Sequence, residues 1–197
     1  MSEQHPSLED RYFLFEKRTV TVSDFVSSGP ILDIGGGGEG IIGALKGEQV
    51  IAIDIQKREL QEAPAGPLKI VMDARDLQFL DQTFETATAF FSFMYLKSKA
   101  DQQSVLREAF RVLRPGGRLL VWDASLCRPA DTEKQAYVIL LSILVNDREI
   151  GTGYGQPWPN EEHDAAYYVN LAKEAGFRLA SKTEHDRLFF LELRRPQ

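Results

Sequence analysis

Residues 31–40 read "ILDIGGGGEG", an apolar run with one aspartate followed by four consecutive glycines. A chain places glycines so densely where its backbone turns tightly or approaches another group closely. The letters "ILDI" are typical of a buried strand, and "GIIGALKG" predicts a short helix that ends at Gly47. A glycine-rich turn between a first strand and a first helix brings backbone N–H groups to the ligand-binding edge of a sheet.

Apolar runs and amphipathic segments continue to alternate as far as Asp123. We expect strands at "QVIAIDI", "LKIVM", "TATAFFSF" and "RLLVWD", and helices at "QKRELQEA" and "DQQSVLREAFRVL". Asp101 is placed to cap the second helix, and the "RPGG" turn ends it. Nearly continuous apolar strands separated by helices indicate a parallel sheet covered on both faces. Right-handed crossovers make it a Rossmann-like, doubly wound sheet of the α/β class.

The last part of the chain predicts an antiparallel ending to this mostly parallel sheet. Two β-like runs flank "EHD" at 184–186 with no helix between them, so they should pair as a hairpin. A helix from about Glu161 to Ala175 precedes them, capped by Asn160 and stopped by Gly176. Residues 161–197 are therefore expected to form a helix and a C-terminal hairpin.

The segment at 130–160 fits two structures. As a helix, residues 132–146 would be apolar almost all round; as a hairpin, "YVILLSILV" and "REIGTGYG" would be strands joined at the turn pair "ND". The Val, Ile and Tyr content favours the hairpin. The glycine-rich stretch that follows resembles a mobile lid, so we expect an inserted hairpin or lid here.

The whole chain, 1–197, is expected to be one domain. Residues 29–125 would form its core, and residues 1–28 a helical cap in which Tyr12, Phe13 and Phe15 cluster. The chain has 197 residues, of which 43% are hydrophobic and 26% charged, as in ordinary soluble globular proteins.

Charge and cysteine content exclude several classes of protein. The net charge of −6, with no basic run, disfavours binding to nucleic acid or to anionic membranes. A single cysteine, Cys127, excludes an internal disulfide, and three scattered histidines make no zinc pattern, so we expect no metal. The N-terminus lacks a signal peptide, and the longest apolar stretch, Ala136 to Val145, is too short to span a bilayer. A cytoplasmic location is the expectation.

Acidic residues at strand ends indicate an adenosine-containing ligand. Asp54 ends the second strand, 19 residues after Gly35, where a carboxylate accepts hydrogen bonds from ribose hydroxyls. In a dinucleotide complex, Asp33 would stand beside the pyrophosphate, and the two negative charges would repel each other. A ligand with an ammonium and a sulfonium meets no such repulsion. Asp73 ends the third strand, where it can accept from an adenine amino group. These three positions favour S-adenosylmethionine over NAD.

The ordered segments "ILDIGGGGEG", "VIAIDI", "MDARDL", "FETATAFFSFMYL" and "VLREAFRVLRPGGRLLVWD" resemble a class I S-adenosylmethionine-dependent methyltransferase. Within that superfamily the chain most resembles the small-molecule branch that includes the quinone-biosynthesis methyltransferases. The resemblance covers roughly residues 28–124. It implies S-adenosylmethionine as the cofactor and in-line transfer of its methyl group to a small-molecule acceptor.

The resemblance also implies a role for each matching position. Glycines and Asp33 would hold the methionine end, Asp54 the ribose, Ile55 and the third-strand pair the adenine, while the end of the fourth strand lies beneath the methyl group. The implied cofactor-binding residues are Asp33, Gly35, Gly36, Gly37, Asp54, Ile55, Asp73, Ala74, Phe91 and Ser92. The chain departs from the family at position 39, where Glu39 stands in place of a third glycine.

The acceptor pocket is expected after the fourth and fifth strands and on the lid. Its candidate residues are Met94, Tyr95, Trp122, Tyr154, Trp158 and His163. No catalytic residue is assigned, because a sulfonium is an excellent leaving group and a general base is optional.

Two other functions stay open. One is an NAD-dependent oxidoreductase, for which we find no Tyr-x-x-x-Lys relay. The other is a non-catalytic S-adenosylmethionine-binding protein that acts through a partner, since "AYVILLSILV" could form an interaction edge, build a homodimer or wall the substrate pocket.

Overall fold

The computed structural model describes residues 8–197. Eleven strands make up two sheets in this part of the chain. The strands are β1 (Phe13–Leu14), β2 (Arg18–Thr21), β3 (Ile31–Ile34), β4 (Val50–Asp54), β5 (Leu68–Val71), β6 (Phe84–Phe90), β7 (Leu113–Ala124), β8 (Ala136–Val145), β9 (Arg148–Pro157), β10 (Arg178–His185) and β11 (Leu188–Arg194).

Five α-helices connect or flank these strands. They are α1 (Leu8–Arg11), α2 (Ile41–Lys46), α3 (Lys57–Glu62), α4 (Lys99–Val112) and α5 (Ala165–Glu174). Two 3-10 turns, Gly47–Gln49 and Phe93–Tyr95, complete the regular structure of the described residues.

The main sheet has seven strands in the order β10-β11-β7-β6-β3-β4-β5. From β7 to β5 all neighbours are parallel, whereas β11 pairs antiparallel with both β7 and β10. The doubly wound α/β sheet with an antiparallel C-terminal hairpin is therefore confirmed. The chain moves outward from β3 to β4 and β5, then returns to β6 beside β3, so the switch point of the sheet lies between β3 and β6.

Each face of the main sheet has its own apolar core. On one face, α4 and α5 cover the sheet through Val105, Leu106 and Tyr168, among others. On the opposite face, Ile42 and Leu60 of α2 and α3 share a cluster with Tyr137, Ile139 and other residues of β8. The second sheet thus covers the part of this face that the two short helices leave open.

The second sheet is built around β8. The strand pairs antiparallel with β9 along its whole length, from Ala136 opposite Pro157 to Val145 opposite Arg148. Asn146 and Asp147 join the strands with positive φ values of 47° and 58°, as a two-residue I′ turn requires. Residues 136–157 therefore form the hairpin and not the helix. Along most of β8, buried residues alternate with partly exposed ones, as in a strand.

The expected helical cap over residues 1–28 is wrong for most of its described part. Residues 8–28 contain one helical turn, α1, and then β1 and β2, which pair parallel with β8. Phe13 and Phe15 do cluster, with ring centroids 5.1 Å apart. Phe13 and Phe15 are two residues apart, so in an extended chain their side chains point to the same face of the sheet. Residues 1–7 of the expected cap lie outside the described residues.

Two helix caps differ from the sequence prediction. Ser98, not Asp101, caps α4, and its hydroxyl accepts from Asp101 N at 3.1 Å. Asp164, not Asn160, caps α5, and its carboxylate accepts from Tyr167 N at 2.7 Å. In both cases two polar residues near the start of the helix are suitable N-caps. The apolar periodicity of the helix does not show which of the two is the N-cap, and the extended backbone of the residue seen in the structure does.

Candidate cofactor and methyl-transfer site

A cavity of about 630 Å³ opens at the carboxyl ends of β3, β4, β5 and β6, across the switch point of the sheet. This is the edge at which open α/β sheets bind their ligands. All ten residues that the resemblance assigned to cofactor binding line it: Asp33, Gly35, Gly36, Gly37, Asp54, Ile55, Asp73, Ala74, Phe91 and Ser92.

The glycine loop fits tightly against the protein itself. Gly35 has φ +73°, and a Cβ there would lie 2.5 Å from Ser92 Cβ. A Cβ on Gly36 would lie 2.5 Å from Asp33 Oδ2. The N–H groups of Gly35 and Gly36 both donate to Ile53 O, at 2.9 and 3.0 Å. These glycines are therefore explained by close packing and turn geometry, and their two N–H groups are already used inside the protein.

Asp33 is a buried acid beneath this loop. Its side chain is 2% exposed, and Thr88 Oγ1 donates to its Oδ1 at 2.7 Å. Burial raises the pKa of Asp33 to about 7; the Thr88 hydrogen bond opposes that rise and the charge of Asp54 adds to it. A cation bound in the cavity would favour the ionised form.

Asp54 and Ile55 follow one another at the end of β4. Asp54 Oδ1 accepts from Gln56 N at 2.8 Å, which fixes the carboxylate at the cavity. Ile55 is 60% exposed although it is a large apolar residue, and it lines the same cavity. A hydrogen-bond acceptor beside an open apolar surface suits a sugar next to a flat heterocycle.

At the end of β5, Asp73 belongs to an ion-pair network that sequence analysis missed. Both of its oxygens accept from Arg75 Nε at 3.0 Å, and Arg75 Nη1 donates to Asp101 Oδ1 at 2.8 Å. The hydrogen bond from Arg75 lowers the pKa of Asp73. Arg75 and Asp101 line the cavity as well. An adenine amino group at Asp73 would therefore share this carboxylate with Arg75.

At the end of β6, aromatic residues dominate the lining. Phe91 adopts φ 47°, an uncommon conformation for a bulky residue, and its N–H donates to Trp122 O at 2.8 Å. The Tyr154 ring of β9 stacks on Phe91 with centroids 5.3 Å apart and planes 15° apart. Ser92 Oγ donates to Ile34 O at 2.8 Å and so ties this segment to β3. Tyr95, 40% exposed, also lines the cavity.

Glu39 links the glycine loop to the hairpin. Its carboxylate accepts from the Thr152 hydroxyl and, at 3.2 Å, from the Tyr154 hydroxyl. These contacts hold β9 over the cavity. The departure from the family pattern at position 39 signals this residue, but its partner lies more than a hundred positions away in the sequence, so the contact itself was not predictable.

Four of the six acceptor-pocket candidates do not line this cavity, which corrects their assignment. Met94 packs in the core and donates its N–H to Asp123 Oδ2 at 3.2 Å. Trp122 packs against Phe90 and Phe190, while Trp158 seals the base of the hairpin, where its Nε1 donates to Lys134 O at 3.0 Å.

His163 is the fourth candidate outside the cavity. It is 5% exposed, stacks on Tyr167 with centroids 4.7 Å apart and lies 3.4 Å from Gln102 Nε2 through its Nδ1. Burial lowers the pKa of His163. Tyr95 and Tyr154 are therefore the two candidates that the fold brings to the cavity.

Within residues 8–197, no cluster of His, Cys, Asp and Glu is arranged to hold a metal ion. Nor does any helix in that range have the length and apolar character needed to cross a bilayer.

The Methyltransferase domain family matches residues 32–121, which hold β3 to β6 and most of β7. Two curated relatives are ubiquinone/menaquinone biosynthesis C-methyltransferases UbiE. The protein from Desulfotalea psychrophila is 32% identical over 168 residues, covering 76% of this chain and 66% of the relative. The protein from Pseudomonas fluorescens is 32% identical over 158 residues, covering 69% of this chain and 60% of the relative. The chain thus spans less than two thirds of their length.

Solved structures agree on the fold. A SAM-dependent methyltransferase from Methanosarcina mazei superposes with a TM-score of 0.60 at 18% identity, covering 87% of this chain and 94% of that one. The domain match, the sequence similarity and the fold agree with one another. The chain therefore has the fold of class I S-adenosylmethionine-dependent methyltransferases, its residues 32–121 match the Methyltransferase domain family, and its sequence is similar to that of quinone-biosynthesis enzymes.

Proposed function

We propose that this protein transfers a methyl group from S-adenosylmethionine to a small-molecule acceptor. The observation that carries the proposal is the single cavity that crosses the carboxyl ends of four adjacent parallel strands, with acids at three of those ends. Adjacent strands are about 4.8 Å apart, so β6 and β5 are separated by about 14 Å. An elongated ligand can therefore contact all four strand ends at once.

The residues present fit S-adenosylmethionine better than a dinucleotide. Asp54 would accept from the ribose hydroxyls, because only its Oδ1 is engaged by Gln56 N. Ile55 would cover one face of the adenine, and Ala74 with Asp73 would meet its edge. Asp33 and the loop at Gly35, Gly36 and Gly37 would lie beside the methionine end. The buried carboxyl of Asp33 suits a cationic ligand and disfavours a pyrophosphate.

When bound, S-adenosylmethionine supplies a methyl group on a sulfonium. The sulfur is a good leaving group, because it departs as a neutral thioether and needs no further activation. The chain then has to align the acceptor and keep water out. Phe91 and Ser92 lie at the end of β6, where the methyl group would be, and Tyr154 covers Phe91 from the hairpin. Tyr95 and Tyr154 would wall the acceptor side. No residue is assigned as a general base.

Calorimetric titration with S-adenosylmethionine, S-adenosylhomocysteine and NAD tests the proposal. We expect micromolar binding of the first two. Asp54→Ala should weaken both at least about tenfold, since a hydrogen bond to a charged group contributes about 1.5–3 kcal/mol. Glu48→Ala is the matched control, because it removes an exposed carboxyl outside the cavity. Binding of NAD alone, or of none of the three, would overturn the proposal.

We also propose a cytoplasmic protein that binds no nucleic acid, on the basis of its single cysteine and its acidic charge. A homodimer through the partly exposed face of β8 is a related proposal. Leu144, 37% exposed, lies on that face. Sedimentation equilibrium of wild-type protein and Leu144→Lys would test it, since a dimer through this face should dissociate in the variant.

A further inference from the structure

The cavity is strongly acidic. Six of its lining residues are carboxylic acids and two are basic, so four carboxyl groups have no basic counterpart there. S-adenosylmethionine would supply a single net positive charge. Even with Asp33 protonated, an excess of negative charge remains. The acids are Asp33, Glu39, Asp54, Glu59, Asp73 and Asp101, and the basic residues are Arg75 and Lys97.

The charges are unevenly placed along the cavity. Arg75 is held at the end of β5 by Asp73 and Asp101, with N–O distances of 2.6 and 2.8 Å. Glu39 is bonded to Tyr154, whose ring stacks on Phe91 after β6. Glu39 belongs to the loop after β3, which is two strand spacings, about 10 Å, from β5, so Arg75 is engaged by two carboxylates at a different strand end from the one that carries Glu39.

Glu39 can accept further hydrogen bonds. Thr152 and Tyr154 each donate to a different oxygen of its carboxylate, and a carboxylate has about four lone-pair sites. Both donors are neutral hydroxyls, so neither supplies a positive charge opposite the carboxyl group. A negative group in a cavity with low-dielectric walls attracts cations and repels anions more strongly than it would in water.

Aromatic rings accompany this carboxylate. Tyr154 touches Glu39 directly, and Phe91 lies beneath Tyr154. Phe90, the last residue of β6, and Tyr95, just after it, also line the cavity, whereas the Phe93 ring packs against Tyr168. The faces of aromatic rings carry partial negative charge and attract ammonium groups, most strongly where water is excluded. A carboxylate among aromatic faces is a recognition site for an amine.

We propose that the methyl acceptor is a small molecule that carries, apart from the atom that is methylated, an ammonium group held by Glu39 and the neighbouring aromatic residues. The inference rests on the proposed methyltransferase function and specifies the acceptor side of the same cavity. It predicts that acceptors with a carboxylate or phosphate at this position bind more weakly, because the six acids of the cavity outnumber its two basic residues and Arg75 is already paired with Asp73 and Asp101.

Two probes of similar size and opposite charge test the inference. Calorimetry in the presence of saturating S-adenosylhomocysteine would compare 2-phenylethylamine with 3-phenylpropionate. The amine should bind at least about tenfold more tightly, equivalent to about 1.4 kcal/mol. Equal affinities, tighter binding of the carboxylate, or no measurable binding of the amine would each overturn the inference.

A charge-removing variant locates the effect. Glu39→Gln, measured at saturating S-adenosylhomocysteine, should reduce the preference for the amine to less than about threefold. Glu48→Gln makes the same charge change on the surface and should leave the preference intact. A preference that survives in Glu39→Gln would contradict the assignment of the ammonium to Glu39. The wild-type comparison stands even if that variant does not fold.

The two proposals fail in different ways. If S-adenosylhomocysteine itself does not bind, the proposed function is overturned, and the inference falls with it. If S-adenosylhomocysteine binds but the amine shows no preference, the inference alone is overturned.

Discussion

Replacing Asp33 by Asn should change how the stability of the protein depends on pH. The carboxyl is 2% exposed and accepts from Thr88 Oγ1, and the backbone of Gly36 passes directly over it. Burial raises its pKa from 3.8 to about 7. Asn has nearly the same shape and can still accept from Thr88 through its carbonyl oxygen, but it does not titrate.

The sign of the effect follows from proton uptake. Between pH 3.8 and about 7 the folded protein keeps the proton on Asp33 and the unfolded chain does not. The free energy of unfolding therefore falls as pH rises, by about 1.4 kcal/mol per pH unit for this group. Over the whole interval the loss is about 4 kcal/mol, and above pH 7 it is complete. Asp33→Asn lacks this loss.

Urea unfolding at several pH values from 4 to 8 measures the effect. The variant should gain stability relative to the wild type as pH rises, by several kcal/mol, although a constant offset can accompany the substitution. The difference between the two proteins cancels the titration of all other groups. Asp131→Asn removes an exposed carboxyl and serves as the control. A difference between wild type and Asp33→Asn that does not change with pH would show that the pKa of Asp33 is not raised in the folded protein.

Three further substitutions test other parts of the account. Gly35→Ala should lower the free energy of unfolding by about 2–5 kcal/mol, because its φ is +73° and the new Cβ would overlap Ser92; a fully stable variant would contradict the loop geometry. Ser98→Ala should lower the free energy of unfolding, measured by thermal unfolding, by about 1 kcal/mol, because α4 loses its N-cap; an unchanged free energy would show that Ser98 does not cap the helix. Trp158→Ala should cost about 2–3 kcal/mol but leave the affinity for S-adenosylhomocysteine within about twofold, whereas a larger loss of affinity would place Trp158 at the cavity.

Much of the main sheet was predictable because its signals are local. Apolar runs such as "ILDI" and "VIAID" form β3 and β4, and Gly47 ends α2 as expected. The hairpin of β8 and β9 was also foreseeable from its β-branched residues and its Asn-Asp turn. A local signal sufficed in each case, because period and turn chemistry specify the structure.

The second sheet was not predictable in the same way. Residues of β1 and β2 become strands because β8 offers them an unpaired edge, and nothing near them in sequence indicates that edge. β1 has only two residues and β2 only four, too few for a period that would distinguish a strand from a helix. The prediction of a helical cap therefore failed where a partner from a distant part of the chain decides the secondary structure.

The residues of the candidate site also fall into a group that local sequence signals predict and a group that depends on distant contacts. Strand-end residues such as Asp54 and Phe91 reach the cavity because the topology of the sheet brings carboxyl ends together. Trp158 and His163 do not, because their side chains are used to pack the hairpin and α5. Arg75 entered only through contacts seen in the fold, and Glu39 was noted from sequence only as a departure from the family pattern, since a charged residue in a loop carries no local sign of its partner.

The most direct test of the central claim is a crystal structure of the protein with S-adenosylhomocysteine. We expect a ligand that lies across the ends of β5, β4, β3 and β6, with ribose hydroxyls on Asp54 and the sulfur beside Phe91 and Ser92. A ligand bound elsewhere, or one whose ribose does not contact Asp54, would contradict it.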